Sequence, residues 1–436
     1  MQYRAVDRVP VSALKPYDRN ARTHSPKQIR QLAASIEEFG FTNPILIDSN
    51  RRIVAGHGRV DAAKLLGLDT VPVICLDDLT EAQIRAYVIA DNKLAENAGW
   101  DRELLGLELK CLTELEIDFD ATITGFEVAE IDILVGELEV VADEDPADAV
   151  PEVDESEPPV TRLGDLWQIG KHRLLCGDAT DPTTYGRLLV GEQAQMVFTD
   201  PPYNVPIDGH VCGLGKVKHR EFAMATGEMS KAEFTAFLST VFSHLAGASA
   251  DGAIHFVCMD WRHLGEIVAA GTEAYTEFKN LCVWAKTNGG MGSLYRSQHE
   301  LVFVFKSGTA SHINNVELGK HGRYRTNVWS YAGINSFREG RDEELALHPT
   351  VKPVGLVADA ILDCSKRGGI VLDAFAGSGT TLVAAERTGR KGYGIELDPK
   401  YCDVIVKRLD QVAKLDATHA ETGKTFAELE TDRTTE

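Results

Sequence analysis

The chain has no C-x-x-C pair, no run of eighteen apolar residues, no internal repeat and no excess of basic residues. Its eight cysteines stand singly, at positions 75, 111, 176, 212, 258, 282, 364 and 402, and none shares a metal-ligand spacing with a histidine. They read as reduced, mostly buried thiols, and no metal is expected. Without a long apolar stretch no membrane span is expected. The first ten residues, MQYRAVDRVP, hold no apolar signal region, so a cytoplasmic location is expected. A net charge of −21 offers no global attraction to a polyanion. The acidity is partly local: residues 137–157 carry ten carboxylates and no Lys or Arg, which leaves −11 on the rest.

What is present is enough for two or three globular domains: 436 residues, 44% hydrophobic and 25% charged. The acidic, Pro-containing stretch at 137–160 reads as a disordered or extended linker between two modules. In the first, residues 1–136, SPKQIRQLAASIEEFG predicts a helix with Ser25 as N-cap, Pro26 at its first position and Gly40 at its end. Strands are expected at 45–48, 52–55 and 70–76, a helix at 60–66 and short helices over 101–136. The box Gly56-His57-Gly58-Arg59 lies where a strand hands over to a helix. Its backbone N–H groups could face an anion there, with Arg59 on a phosphate; a plain glycine turn is the competing reading.

The second module, 161–412, is organised around TDPPYNV at 199–205, which follows an apolar strand. Two prolines hold the chain extended and supply no backbone donors. The carboxylate of Asp200 and the carbonyls of Asp200 and Pro201 are thereby left as acceptors, with the flat ring of Tyr203 beside them. Pro202 completes the element. Such a set suits a planar ligand with an amino group, such as an adenine or cytosine lifted out of a helix; the alternative is a proline turn beside a core tyrosine.

Upstream, Gly177-Asp178 follows an expected hairpin over Gly170-Lys171. Asp178 accepts from an amino group or ribose, caps the helix beginning near Pro182, or does both. Residues 206–227 read as a mobile loop whose Lys216, Lys218, His219 and Arg220 suit a nucleic-acid backbone. Polar, glycine-rich residues 308–347, with Lys320, Arg323, Arg325, Arg338 and Arg341, are the expected target-reading region.

Residues 369–397 predict a strand, a glycine loop, a helix and a strand. The loop runs Asp373-Ala-Phe375-Ala-Gly377-Ser-Gly379-Thr380, and Glu396 closes the second strand 19 positions beyond Gly377. Glycines admit a ligand close to the backbone, and an acidic strand end suits ribose hydroxyls. The third glycine of a dinucleotide loop is missing, which favours a smaller nucleoside with an amino-acid tail. A polar tail is expected at 413–436.

Two resemblances follow from these motifs. Residues 5–100, with the Gly56–Arg59 box and Asp91-Asn92-Lys93, resemble the ParB/sulfiredoxin family, although His57 and Gly58 stand where sulfiredoxins carry a cysteine. That resemblance implies handling of nucleotide, phosphate or DNA. Residues 165–412 resemble the amino-group DNA methyltransferases of the permuted beta arrangement, on four elements in order: Gly177-Asp178, Asp200-Pro201-Pro202-Tyr203, His348-Pro-Thr-Val-Lys352-Pro353 and the loop from Asp373 to Thr380. The fold implied is α/β: a Rossmann-like S-adenosylmethionine-dependent methyltransferase domain preceded by a smaller α+β ParB-like domain, a combination similar to phage and prophage methylases.

The resemblance further implies catalysis by Asp200, Pro201, Pro202 and Tyr203. It places S-adenosylmethionine on Asp178 (adenine), Glu396 (ribose), Asp373, Phe375, Gly377, Gly379 and Thr380 (methionine portion), with Lys352 near its carboxylate. Partners expected are double-stranded DNA, a nucleotide at the first domain and a second copy of the chain. Asp at position 200 favours adenine N6. Cytosine N4, an RNA substrate, or a ParB-like regulator with a vestigial methylase stay open.

Overall fold

Alternation along short strands builds the first unit. Ile45 and Ile47 join one cluster with Val11, Val60 and Val73, while Leu46 and Val54 turn to the opposite face, against Ile84 and Val88. A sheet covered on both faces results. The computed structural model describes residues 4–114, 121–138, 145–151, 153, 157–204, 227–287, 294–318, 325–332 and 351–434. The chain divides into two units, Met1–Glu139 and Val140–Glu436.

In the first unit, strands β1 (Asp7–Pro10), β2 (Ile45–Ile47), β3 (Ile53–Ala55) and β4 (Thr70–Cys75) form a sheet in the order β1-β4-β2-β3. Helices α2 (His57–Leu65) and α3 (Glu81–Glu96) pack on it, α1 (Pro26–Phe39) packs on α2, and α4 (Arg102–Glu114) pairs with α5 (Val128–Gly136). The expected cap of α1 is present: Ser25 Oγ accepts from Gln28 N at 3.1 Å.

The second unit is one sheet in the order β11-β9-β10-β8-β7-β12-β13-β6-β5-β14. Its strands are β5 (Leu166–Ile169), β6 (His172–Cys176), β7 (Ala194–Thr199), β8 (Ser249–Met259), β9 (Glu277–Ala285), β10 (His299–Lys306), β11 (Val328–Ser330), β12 (Ile370–Asp373), β13 (Lys391–Glu396) and β14 (Ala417–His419). The central run β8-β7-β12-β13-β6 is parallel throughout. Helices α6 (Pro182–Leu189), α7 (Lys231–Gly247), α8 (Leu264–Ala274), α9 (Val354–Cys364), α10 (Thr380–Arg387) and α11 (Pro399–Ala413) connect these strands, and buried side chains on the sheet's two faces form the two large cores. The α/β expectation holds.

Three expectations need correction. The tail is not merely polar: β14 pairs antiparallel with β5, and α12 (Phe426–Thr434) puts Phe426 and Leu429 into the core beside Trp167. A three-residue strand is too short to show a period in the sequence. The acidic linker is not free along its length. Asp148 Oδ1 accepts from Val354 N at 2.7 Å, the Ala147 carbonyl accepts from Arg408 Nη2 at 2.7 Å, and Asp145 pairs with Arg387. Arg325, expected on DNA, is spent internally on Asp359 (2.7 Å) and Asp363 (3.0 Å) of α9. Lys216, Lys218, His219, Arg220, Lys320, Arg323, Arg338 and Arg341 lie outside the described residues.

Because Phe426 closes the core over Trp167, Phe426→Ala is expected to cost ~3 kcal/mol in urea unfolding of the full chain.

Candidate active site

β7 ends at Thr199 and β12 ends beside it at Asp373; Thr199 Oγ1 donates to Asp373 Oδ1 at 2.8 Å. From β7 the chain passes to β8 on one side; from β12 it passes to β13 on the other. Where strand order reverses, a crevice opens beyond the carboxyl ends. It is lined by Asp200, Pro201, Pro202, Tyr203, Lys352, Asp373, Phe375, Gly377, Thr380, Glu396, Asp398 and Tyr401, among others.

The glycine loop shapes one wall. Asp373 accepts from Phe375 N (3.0 Å) and Thr381 Oγ1 (2.6 Å), tying strand, loop and helix start together. Burial pushes its carboxyl up to about 6. Gly377 has φ +52°, and a Cβ there would meet nothing closer than 3.9 Å, so the backbone itself faces the cavity. Gly377 N donates to Glu396 Oε2 at 2.7 Å and Asp398 N to Oε1 at 2.9 Å. Burial nevertheless pushes Glu396 up to about 7. Beneath the loop, fully buried Arg408 donates to the Ser378 carbonyl (2.9 Å) and Thr380 Oγ1 (3.1 Å).

The opposite wall is a cluster of charges. Lys352, 5% exposed, contacts Asp200 Oδ2 at 2.5 Å and Glu300 Oε1 at 3.0 Å. Tyr203 Oη lies 2.7 Å from Asp200 Oδ1 and 2.5 Å from Glu300 Oε1. Lys286 Nζ reaches Glu300 Oε2 at 2.8 Å. Burial drives Asp200 up, against the opposing pull of Lys352. Glu300 is also desolvated, but Lys352 and Lys286 outweigh burial and hold it at about 2. Lys352 itself stays charged: burial works against the ammonium, and the two carboxylates overcome it.

Set against known proteins, residues 194–407 match the family described as DNA methylase and residues 1–92 the ParB N-terminal domain. Residues 103–163 match the ParB-methyltransferase HTH domain. The ParB-like nuclease domain-containing protein YnaK of Escherichia coli K12 is 57% identical over 74 residues, 17% of this chain and 85% of that protein. The chain is a ParB N-terminal domain fused to a DNA methylase domain. The type II methyltransferase M.HinfI of Haemophilus influenzae is 27% identical over 244 residues, 52% of this chain and 66% of that enzyme. The DNA adenine methyltransferase YhdJ of E. coli K12 is 40% identical over 90 residues, 21% of this chain and 29% of that enzyme.

In this fusion methylase several of the expected site residues also have partners within the protein. Asp178 does not line the cavity; its carboxylate closes a local turn, accepting from Thr180 N and Oγ1, both at 2.8 Å. The cap of α6 is Asp181. Gly379 also stays off the cavity surface: with φ +82° it lets Ile405 pack against the loop. Lys352 joins the Asp200 cluster, because two buried carboxylates claim its ammonium. The hydroxyl of Tyr203 is engaged by the same carboxylates. Asp398 and Tyr401 line the cavity without having been singled out, and Glu300, Lys286 and Arg408 were missed. Asp398 follows Glu396 closely enough that the strand end could have suggested it.

The residues of the Gly56–Arg59 box have contacts within their own unit. A Cβ on Gly58 would lie 2.9 Å from Leu32, so this glycine serves close packing of α2 on α1. His57 Nε2 accepts from Tyr17 N at 3.2 Å, and Arg59 Nη1 donates to the Asn43 carbonyl at 2.9 Å. Gly56 has φ +101° at the start of α2.

A Cβ at Gly379 would sit 3.0 Å from Ile405 in a left-handed backbone. Gly379→Ala is therefore expected to lower the unfolding free energy by ~1–3 kcal/mol, read by urea denaturation.

Proposed function

We propose that the chain is a site-specific DNA methyltransferase moving a methyl group from S-adenosylmethionine to the N6 amino group of adenine. The observation that carries this reading is the single crevice where Asp200-Pro201-Pro202-Tyr203 faces the glycine loop and Glu396. Its lining fits the cofactor. Asp373, Glu396 and Asp398 form an acidic wall suited to a sulfonium, an ammonium and ribose hydroxyls, and unsuited to a pyrophosphate. The open face of Gly377 leaves room for a ligand against the backbone. Phe375 and Tyr401 supply apolar surface for a purine. Bound there, S-adenosylmethionine supplies an electrophilic methyl group.

The amino group of adenine is a poor nucleophile because its lone pair is delocalised into the ring. Asp200 and the Pro201 carbonyl accept its two hydrogens, which turns the lone pair out of conjugation and fixes its direction of attack. The ring of Tyr203 is the stacking surface for a base lifted from the duplex. Attack by the nitrogen itself requires no covalent protein intermediate and so no cysteine. Adenine is preferred to cytosine on the Asp at position 200 and the likeness to YhdJ.

Incubating the full chain with labelled S-adenosylmethionine and DNA, then digesting to nucleosides, should yield N6-methyl-2′-deoxyadenosine; labelled deoxycytidine or labelled RNA alone would overturn the assignment. Asp200→Ala should reduce transfer by ~10²–10⁴-fold and leave cofactor binding nearly unchanged. A second expectation follows from Glu396, whose carboxyl is pushed up to about 7. Hydroxyl donors bind its ionised form, so affinity rises as pH climbs through that value. Cofactor Kd should fall about 10-fold from pH 6 to pH 8, and Glu396→Gln should flatten the dependence in calorimetry.

A further inference from the structure

Glu300 is a buried carboxylate on β10, reached from Asp200 only by crossing between strands, and no motif contains it. Its two oxygens are fully occupied by the machinery. Oε1 meets Tyr203 Oη at 2.5 Å and Lys352 Nζ at 3.0 Å, and Oε2 meets Lys286 Nζ at 2.8 Å. Burying a charge is costly unless specific partners offset it, so an arrangement of two carboxylates and two ammonium groups in a crevice needs a reason.

That reason lies in the reaction proposed above, on which this inference rests. When the amino nitrogen forms its bond to the methyl carbon, the carbon–sulfur bond breaks and its electron pair stays on sulfur. The nitrogen must then release one proton. Asp200 is the acceptor already placed on that nitrogen. If Lys352 were paired with Asp200 alone, its ammonium would hold that carboxylate ionised and occupy its lone pairs. With Glu300 present, the ammonium has a second, permanent partner.

We propose that Glu300 is a positioning residue: it shares the Lys352 ammonium with Asp200 and holds the Tyr203 hydroxyl, weakening the grip of Lys352 on Asp200 so that Asp200 can take the proton that the amino group releases. The two carboxylates are displaced in opposite directions, Asp200 upward and Glu300 down to about 2, as a division between proton acceptor and fixed charge requires. Among the described residues, the other groups facing Asp200 are these. Lys352 precedes α9 and lowers it, Glu300 raises it, Tyr203 Oη donates to it, and Cys258 of β8 and Asp373 of β12 stand nearby; Lys286 acts through Glu300. Removing the charge of Glu300 should therefore let Lys352 pull the Asp200 titration to lower pH.

The test is Glu300→Gln in the full chain, with Glu300→Asp as the charge-retaining partner. Glutamine keeps the shape, and a thermal melt reports folding. Expected are a kcat lower on the order of 10-fold, below the ~10²–10⁴-fold of losing an acid–base group itself, and unchanged cofactor Kd. The acid limb of kcat against pH should move to lower pH, with partial return toward wild type in Glu300→Asp. Isotope-edited infrared of 13C-aspartate protein, with Asp200→Asn to assign the band, reads the Asp200 carboxyl directly and without turnover. An Asp200 band titrating at lower pH in Glu300→Gln supports the proposal even where the nucleoside produced is not N6-methyl-2′-deoxyadenosine. An unmoved band, or wild-type kcat with an unmoved limb, overturns it. A wild-type protein that transfers no methyl group to DNA overturns the function assigned above, and the band position still decides the role of Glu300.

Discussion

A lysine ammonium that is 5% exposed governs this active site. Lys352 can stay charged in the crevice only because carboxylates from two other parts of the chain reach it, Asp200 at the end of β7 and Glu300 on β10. Each carboxylate in turn tolerates burial because of the lysine. Take the ammonium away and two like charges are left side by side with Tyr203 between them. Segments 100 and 52 positions apart in the sequence must therefore be delivered to one point, and the strand order β10-β8-β7-β12 does so.

The same reversal of strand order brings the second acidic group together. Asp373 and Glu396 end neighbouring strands, and the loop between them donates its backbone N–H groups inward to these carboxylates. A loop of this kind in a dinucleotide fold offers such N–H groups to phosphate. Here they are already taken, and what faces the ligand is an acceptor-rich surface. The chemistry of the pocket thus agrees with the absent third glycine: the ligand it suits carries positive charge and hydroxyl donors.

How much of this was legible in the sequence depended on range. Asp200 to Tyr203, the glycine loop and Glu396 are contiguous signals at strand ends, where a proline pair, a left-handed glycine or a lone acid breaks an apolar run. Glu300 opens HELVFVFK and looks like the polar start of a strand; its partner Tyr203 is 97 residues away. Arg408 sits in VIVKRLDQV and looks like a solvent-facing helix position, yet it is fully buried under the loop. Asp178 shows the limit from the other side, since a carboxylate that closes a local turn and one aimed at a ligand share the same sequence. At the carboxyl terminus, β14 gains its stability from pairing with β5, which no local pattern encodes.

The short acidic stretch from Asp145 to Asp148 caps the start of α9 and accepts from the arginine that braces the glycine loop. Composition would assign it to the tether, but its hydrogen bonds assign it to the methylase. A methylase of this design could exchange its front module only at a junction upstream of Asp145. A recombination event, or an expression boundary, placed at the apparent start of the catalytic fold would remove the acceptors that Asp148 and Ala147 offer to the Val354 N–H and to Nη2 of Arg408. The seam along which the two halves could have been joined is therefore narrower than the acidic run that conceals it.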